Sequence, residues 1–199
     1  MAVNVSARQI ERSSLLEKIE RTLQRHRLPP DRLEIELTES ALLRDEGQAI
    51  EFLHGLKARG IRIALDDFGA GYSSLAYLHA LPLDKIKIDR SFVKALDHDG
   101  DEGARAIVRT ILYLGAALNL ETIAGGVETT EQGRAIAELG CNFGQGYLYG
   151  KAMPAPAVAE FLREWRADAL AGRKLQYSNV GRLRPQRGDG LMRSHGEAR

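Results

Sequence analysis

The stretch Ile61-Arg-Ile-Ala-Leu-Asp-Asp-Phe-Gly-Ala-Gly-Tyr-Ser-Ser-Leu75 decides how this chain is read. An apolar strand runs into two adjacent carboxylates, Asp66 and Asp67. Two glycines separated by one residue follow, and then a helix start at Ser73-Ser74. A single aspartate in such a place is ordinarily a turn acid or a helix cap. Two together repel unless a cation or a proton lies between them. The pair, set before a glycine pair, is therefore read as a divalent-metal site.

Outward from this stretch the chain alternates strands and helices. Upstream, Met1-Ala-Val-Asn-Val-Ser6 alternates apolar and polar residues as a strand does. Ser13-Ser14 with Glu17 form a capping-box pattern before a helix whose apolar stripe is Leu15, Leu16, Ile19 and Leu23, ended by Pro29-Pro30. Strand 33–38 and a helix from Glu46 to Arg59 come next, with Gly60 as its stop. Downstream lie a short helix from Ser73 to His79, strand Lys85–Asp89, an acidic loop from Asp97 to Gly103 and a helix from Ala104 to Leu118. Strand 121–124, a helix from Thr130 to Leu139, a Gly-rich last strand at 142–149 and a helix from Pro156 to Trp165 complete the pattern. Val158, Phe161 and Leu162 are expected to pack inward from that last helix.

Repeated strand–helix units predict a parallel sheet covered by helices. The strands carry polar residues on one parity: Asn4 opposite Val3 and Val5, Glu36 between Ile35 and Leu37, and Lys87 with Asp89 opposite Ile86 and Ile88. Strands of a doubly wound sheet are apolar on both faces. One polar face predicts a TIM-like (β/α) barrel with a polar interior and helices outside. Working residues of such barrels lie at the C-terminal strand ends. Asn4, Glu36, Asp66, Asp67 and Lys87 all fall at or near those ends, and their oxygen donors suit hard cations such as Mg2+ or Mn2+.

Composition bounds the rest. The chain has 199 residues, 44% of them hydrophobic, with 28 basic against 27 acidic residues. This near balance gives no reason to expect a nucleic-acid polymer as partner. Cys141 is the lone cysteine, which excludes an intrachain disulfide and is read as a small buried apolar residue. No apolar run approaches the roughly 20 residues of a membrane span, and no signal peptide opens the sequence. The expectation is a cytoplasmic protein with no membrane segment. The organised domain is expected to cover 1–168. Residues 169–199, with Arg173, Lys174, Arg182, Arg184, Arg187 and Arg193 among Gly, Pro and Ser, are expected to form a disordered basic tail.

The segments Val3-Asn-Val-Ser-Ala-Arg-Gln9, Glu36-Leu-Thr-Glu-Ser40, Asp66-Asp-Phe-Gly-Ala-Gly-Tyr-Ser-Ser-Leu75, Leu81-Pro-Leu-Asp-Lys-Ile-Lys-Ile-Asp-Arg-Ser-Phe-Val93, Gly126-Val-Glu-Thr129 and Gln145-Gly-Tyr147, in that order, resemble the signature of the EAL family. Members of that family are metal-dependent cyclic-di-GMP phosphodiesterases, which open the dinucleotide to linear pGpG, or catalytically dead receptors. The resemblance spans about residues 2 to 165. It implies that Asn4, Glu36 and Asp66 bind a first metal, that Asp66 with Asp67 reaches a second, and that Lys87 holds the attacking water or the phosphate. It further implies that Glu39 braces the loop after Asp67 and that Gln145 and Glu128 line the dinucleotide site. Cyclic-di-GMP is the implied ligand, and a homodimer or a partner domain the implied association.

The chain departs from the family pattern in two places. The opening strands, with their metal-binding Glu-Ala-Leu segment, have no counterpart, so about six of the eight strands of the complete fold are expected, as an incomplete barrel. Where the family reads Ala-Glu-Gly-Val-Glu, this chain reads Ala124-Gly-Gly-Val-Glu128, and Gly125 replaces the glutamate assigned to metal binding and general-base work. The expectation is an inactive domain or a weak receptor. Two alternatives stand beside it: a phosphodiesterase that works once the missing segment is supplied, and a protein-interaction module.

Overall fold

The computed structural model describes residues 1–12, 14–71, 78–96, 102–170 and 181–182. Its strands are β1 (Ala2–Asn4), β2 (Glu34–Thr38), β3 (Arg62–Phe68), β4 (Lys85–Ile88), β5 (Glu121–Ala124), β6 (Phe143–Gly144) and β7 (Gly181–Arg182). Its α-helices are α1 (Ala7–Ile10), α2 (Leu15–His26), α3 (Glu39–Leu43), α4 (Glu46–Ala58), α5 (Arg90–Ala95), α6 (Glu102–Ala117), α7 (Thr130–Glu138) and α8 (Ala155–Leu170). The sheet runs in simple order from β1 to β7. The first six strands are parallel, and β7 lies antiparallel to β6. Among the described residues β1 pairs only with β2, so the sheet is an open half-barrel, as the strand count in the sequence predicts.

The two faces of the sheet follow residue parity. Ile35, Leu37, Ile63, Leu65, Ile86 and Ile88 are each exposed by 2% or less and form the middle of the core beneath the helices. From α2, Leu23 is buried, and Leu15, Leu16 and Ile19 pack against this core. From α4, Phe52, Leu53 and Leu56 do the same. The other parity carries Glu34, Glu36, Arg62, Ala64, Asp66, Lys85, Lys87 and Glu121 on the concave face.

Three local expectations differ from what is found. Ser14 precedes α2 with helical dihedrals (φ −85°, ψ −1°) and makes no capping hydrogen bond. An N-cap hydroxyl reaches the first turn from extended backbone, and Ser14 lacks it. Capping boxes form instead at Ser6 with Gln9, at the start of α1, and at Thr129 with Gln132, at the start of α7. The last strand is far shorter than the Gly-rich run 142–149, because the chain turns away after Gly144. On α8, Val158 and Leu162 are 39% and 47% exposed instead of packed inward. That helix ends the series, and no further strand–helix unit among the described residues covers its apolar side.

The expected helix from Ser73 and the acidic loop after Asp97 lie mostly outside the described residues, since 72–77 and 97–101 are not described. The tail lies outside them as well, except for the end of α8 and the two residues of β7. Among the described residues, no helix is long and apolar enough to cross a membrane.

Candidate functional site

The concave face holds two tiers of charge. In the upper tier, toward the C-terminal strand ends, Lys87 Nζ donates to Glu36 Oε2 at 2.7 Å and to Asp66 Oδ2 at 2.9 Å. Lys87 and Glu36 are each only 6% exposed. Burial works to lower the Lys87 pKa, but its hydrogen bonds to Glu36 and Asp66 and their negative charges outweigh it, so the proton is held more firmly than on an ordinary lysine. In the lower tier, Lys85 Nζ donates to Glu34 at 2.7 Å and Arg62 donates to Glu121 at 2.5 Å. Lys85 Nζ also lies 5.8 Å from the centre of the Phe143 ring.

Both lysines cross β3 to reach acids on β2. Ala64, fully buried, is the residue of β3 in the row between them, and it has nothing beyond Cβ to block their path. The lower tier went unrecognised in the sequence. The alternation of Glu34-Ile-Glu36 and Lys85-Ile-Lys87 was its available signal.

The ladder between β3 and β4 shifts register between Leu65 and Phe68, as at a β-bulge. Asp67 lies inside this irregularity with φ +54°, in the left-handed region where few non-glycine residues are found. Its amide donates to Asp66 Oδ1 at 3.0 Å. Burial and then the charges of Asp66 and Asp89 push the Asp67 carboxyl above its ordinary range, with Lys87 only partly offsetting them. Asp89, which the sequence reading left without a role, caps α5 by accepting from Ser91 N at 2.9 Å and from the Ser91 hydroxyl. Burial raises the Asp89 pKa, but these bonds and Arg90 outweigh it and draw it below its ordinary value. Asp66, Asp67 and Asp89 thus make a negative rim beside the buried lysine.

The other sequence-derived residues fall as follows. Asn4 is exposed on β1, in register with Glu36. Glu39 Oε1 accepts from Gly69 N–H at 3.3 Å, which ties the loop after Asp67 to the start of α3. Gly125 follows β5 on the inward parity of Glu121 and Ile123, and its N–H donates to Ile88 O at 3.0 Å. Glu128 and Gln145 are exposed, and among the described residues no hydrogen bond or ion pair joins either to the Lys87 cluster.

Oxygen donors suit a hard cation. Even so, among the described residues no three or more His, Cys, Asp or Glu side chains are arranged to hold a metal ion. The Lys87 ammonium already bridges Glu36 and Asp66, the two acids that a cation would join. Glu36, Asp66 and Asn4 are the oxygen donors that would hold a hard cation here, with Lys87 standing between the first two.

The chain matches the family model described as EAL domain over residues 1–152. It is 46% identical over 155 residues to the bifunctional diguanylate cyclase/cyclic di-GMP phosphodiesterase MucR of Pseudomonas aeruginosa, covering 78% of this chain and 22% of that protein. The chain thus spans about a fifth of the length of the curated relatives it matches. The solved PaMucR phosphodiesterase in complex with c-di-GMP superposes with a TM-score of 0.74 at 46% identity, over 79% of this chain and 63% of that one. Klebsiella pneumoniae BlrP1, solved as a manganese/cy-diGMP complex, gives a TM-score of 0.69 at 30% identity over 75% of this chain and 38% of its own. The same protein was also solved as a calcium/cy-diGMP complex. With its ordered motifs, its parallel half-barrel and these matches, the chain belongs to the EAL domain family.

Proposed function

We propose that this chain is a cyclic-di-GMP-recognition domain whose capacity to hydrolyse the dinucleotide is residual or lost. The observation that carries this reading is the pairing of Gly125 with the Lys87 bridge. Gly125 stands on the inward parity at the end of β5 and has no side chain to take a proton. Loss of a general base alone typically costs on the order of 10²–10⁴ in rate. Glu36 and Asp66 meanwhile hold the Lys87 ammonium, so each of these two carboxylates already has a cationic partner. Lys87 keeps a positive charge at the strand-end mouth, where it would meet a phosphate of the ligand. Mg2+ or Mn2+ is the cation class that accompanies this reading, with Glu36, Asp66 and Asn4 as its nearest oxygen donors, and a cytoplasmic location goes with it.

The test is calorimetry with cyclic-di-GMP, run beside chromatography for pGpG in Mg2+ or Mn2+. Binding with very slow or no conversion is expected. Robust conversion that disappears in Asp66→Ala would overturn the reading. A second reading, a phosphodiesterase completed by another segment, is favoured by the open outer edge of β1. It predicts turnover only after such a segment is supplied.

A further inference from the structure

We propose that a cleft at the N-terminal ends of β2 and β3 is a second binding site, for a small amphiphile with one carboxylate head, of the fatty-acid class. It lies at the opposite end of β3 from Asp66 and Asp67 and does not depend on the dinucleotide reading. The cleft has a volume of about 530 Å3 and is framed by the end of α2, the turn at 27–30 and the junction of α4 with β3. That is the size of a small-molecule site. Leu23 and Ile61, 8% and 1% exposed, belong to the core and form its floor. Pro29 and Pro30 line it as well; they offer no N–H, and their rings fix the local backbone. Leu28 stands at the lip, 44% exposed. The turn is tied back to α2, since Arg27 N–H donates to Gln24 O at 3.1 Å and Leu28 N–H to Leu23 O at 3.0 Å. The apolar walls are therefore carried on a fixed backbone and are formed before anything enters.

The charges around the cleft select the head group. Arg59 Nε donates to Glu20 Oε2 at 3.0 Å and its Nη1 to Gly55 O at 2.9 Å, which holds the guanidinium between α4 and α2. Neither bond uses Nη2. Arg27 is the second cation, at the end of α2 with φ +52° and ψ +38°. A helix end in this left-handed conformation favours glycine, so the arginine is held there against its backbone preference. Among the described residues, two guanidiniums and one carboxylate line the cleft, which leaves one net positive charge beside apolar walls. A monoanion balances that charge, whereas a phosphate head, with about −1.5 to −2 at pH 7, exceeds it. The planar fork of a guanidinium also matches a carboxylate. The tail of such a ligand covers Leu23, Leu28 and Ile61, and its head meets Arg27 and Arg59.

The experiment titrates the full chain with decanoate, decyl phosphate and decyltrimethylammonium by calorimetry at pH 7, each below its micelle concentration. Decanoate is expected to bind saturably, at least as tightly as decyl phosphate, and decyltrimethylammonium not to bind. Arg27→Gly should weaken decanoate by roughly two- to fivefold, the scale of an exposed ion pair. Its melting temperature should stay level or rise, because glycine accepts the left-handed φ, so the lost affinity is not lost folding. Arg59→Gln leaves the Glu20 carboxylate without its arginine at the cleft and should cost about tenfold or more. No saturable decanoate binding, equal binding of the anionic and cationic heads, or unchanged affinity in both arginine variants would overturn the site. Tighter binding of decyl phosphate would overturn the carboxylate assignment. A dimer that Leu28→Ser disperses, with no decanoate bound, would give the cleft to a second copy of the chain and overturn the proposal.

Discussion

Lys87 Nζ lies 2.7 Å from Glu36 Oε2, and each of these side chains is 7% exposed. Removing the ammonium alone would strand a buried carboxylate, which typically costs about 3–5 kcal/mol. Lys87→Met is expected to lose stability on that scale in urea unfolding at pH 7, and Lys87→Met with Glu36→Gln to recover most of it. The sign of the pH dependence follows from the raised Lys87 pKa. The pair's contribution is fully present below the ordinary lysine value of 10.5 and is lost only as pH rises through the higher folded value. The lysine itself therefore adds no pH dependence from about pH 6 to 9, while the buried Glu36 carboxyl stranded by Lys87→Met takes up a proton more readily as pH falls and makes the loss smaller toward the low end. A loss that shrinks as pH rises from about 6 to 9 would contradict the assignment.

Asp67 works in the opposite sense. Its carboxyl is pushed up by burial and by its acidic neighbours, so the folded chain holds that proton at a pH where the unfolded chain has released it. The group's contribution to stability is greatest at low pH and falls as pH rises through the folded value. Asp67→Asn removes the repulsion and keeps a residue that accepts left-handed dihedrals. It is expected to raise the melting temperature at pH 7, with the gain shrinking toward pH 4. The side chain is exposed, so the effect should stay below about 1 kcal/mol. An unchanged or lower melting temperature at pH 7 would refute the account of the rim.

Ala64 gives both lysines passage across β3. Ala64→Leu should overpack the concave face, at about 1–3 kcal/mol, and also part Lys85 from Glu34 and Lys87 from Glu36. The measured loss should then exceed that of overpacking alone. In a Lys85→Met background part of the penalty has already been incurred, so the two changes should be clearly non-additive. Strict additivity would show that Ala64 does not serve as the passage.

Gly125→Glu tests the proposal that this position has lost a carboxylate. Gly125 does not have the left-handed φ that would bar a side chain, but its Cβ would meet Ile88 O at 3.1 Å. A stability cost of about 1 kcal/mol is expected. The added inward carboxylate should tighten Mn2+ binding at least several-fold, as read by calorimetry. Turnover should not return from this change alone, since Glu36 and Asp66 remain on Lys87. Full conversion of cyclic-di-GMP by this single variant would show that the lysine bridge is no obstacle.

The sequence by itself determined the layers and most of the strands. Alternation with period two sets the faces of β2 and β4, so Ile35, Leu37, Ile86 and Ile88 were legible as core and Glu36 and Lys87 as a concave pair. The motif order determined the family, and the resemblance set Gly125 against a glutamate of the family pattern. Only the tertiary structure decided what those side chains meet. That Lys87 reaches over Ala64 to Glu36, and that Lys85, Glu34, Arg62 and Glu121 form a second tier below, depends on the register of neighbouring strands, which alternation within one strand does not contain. The bulge that puts Asp67 at φ +54° beside Asp89 arises from pairing between β3 and β4. The exposure of Val158 and Leu162 depends on what packs beyond the last strand, because a helix's own period names its apolar side but not the partner that covers it.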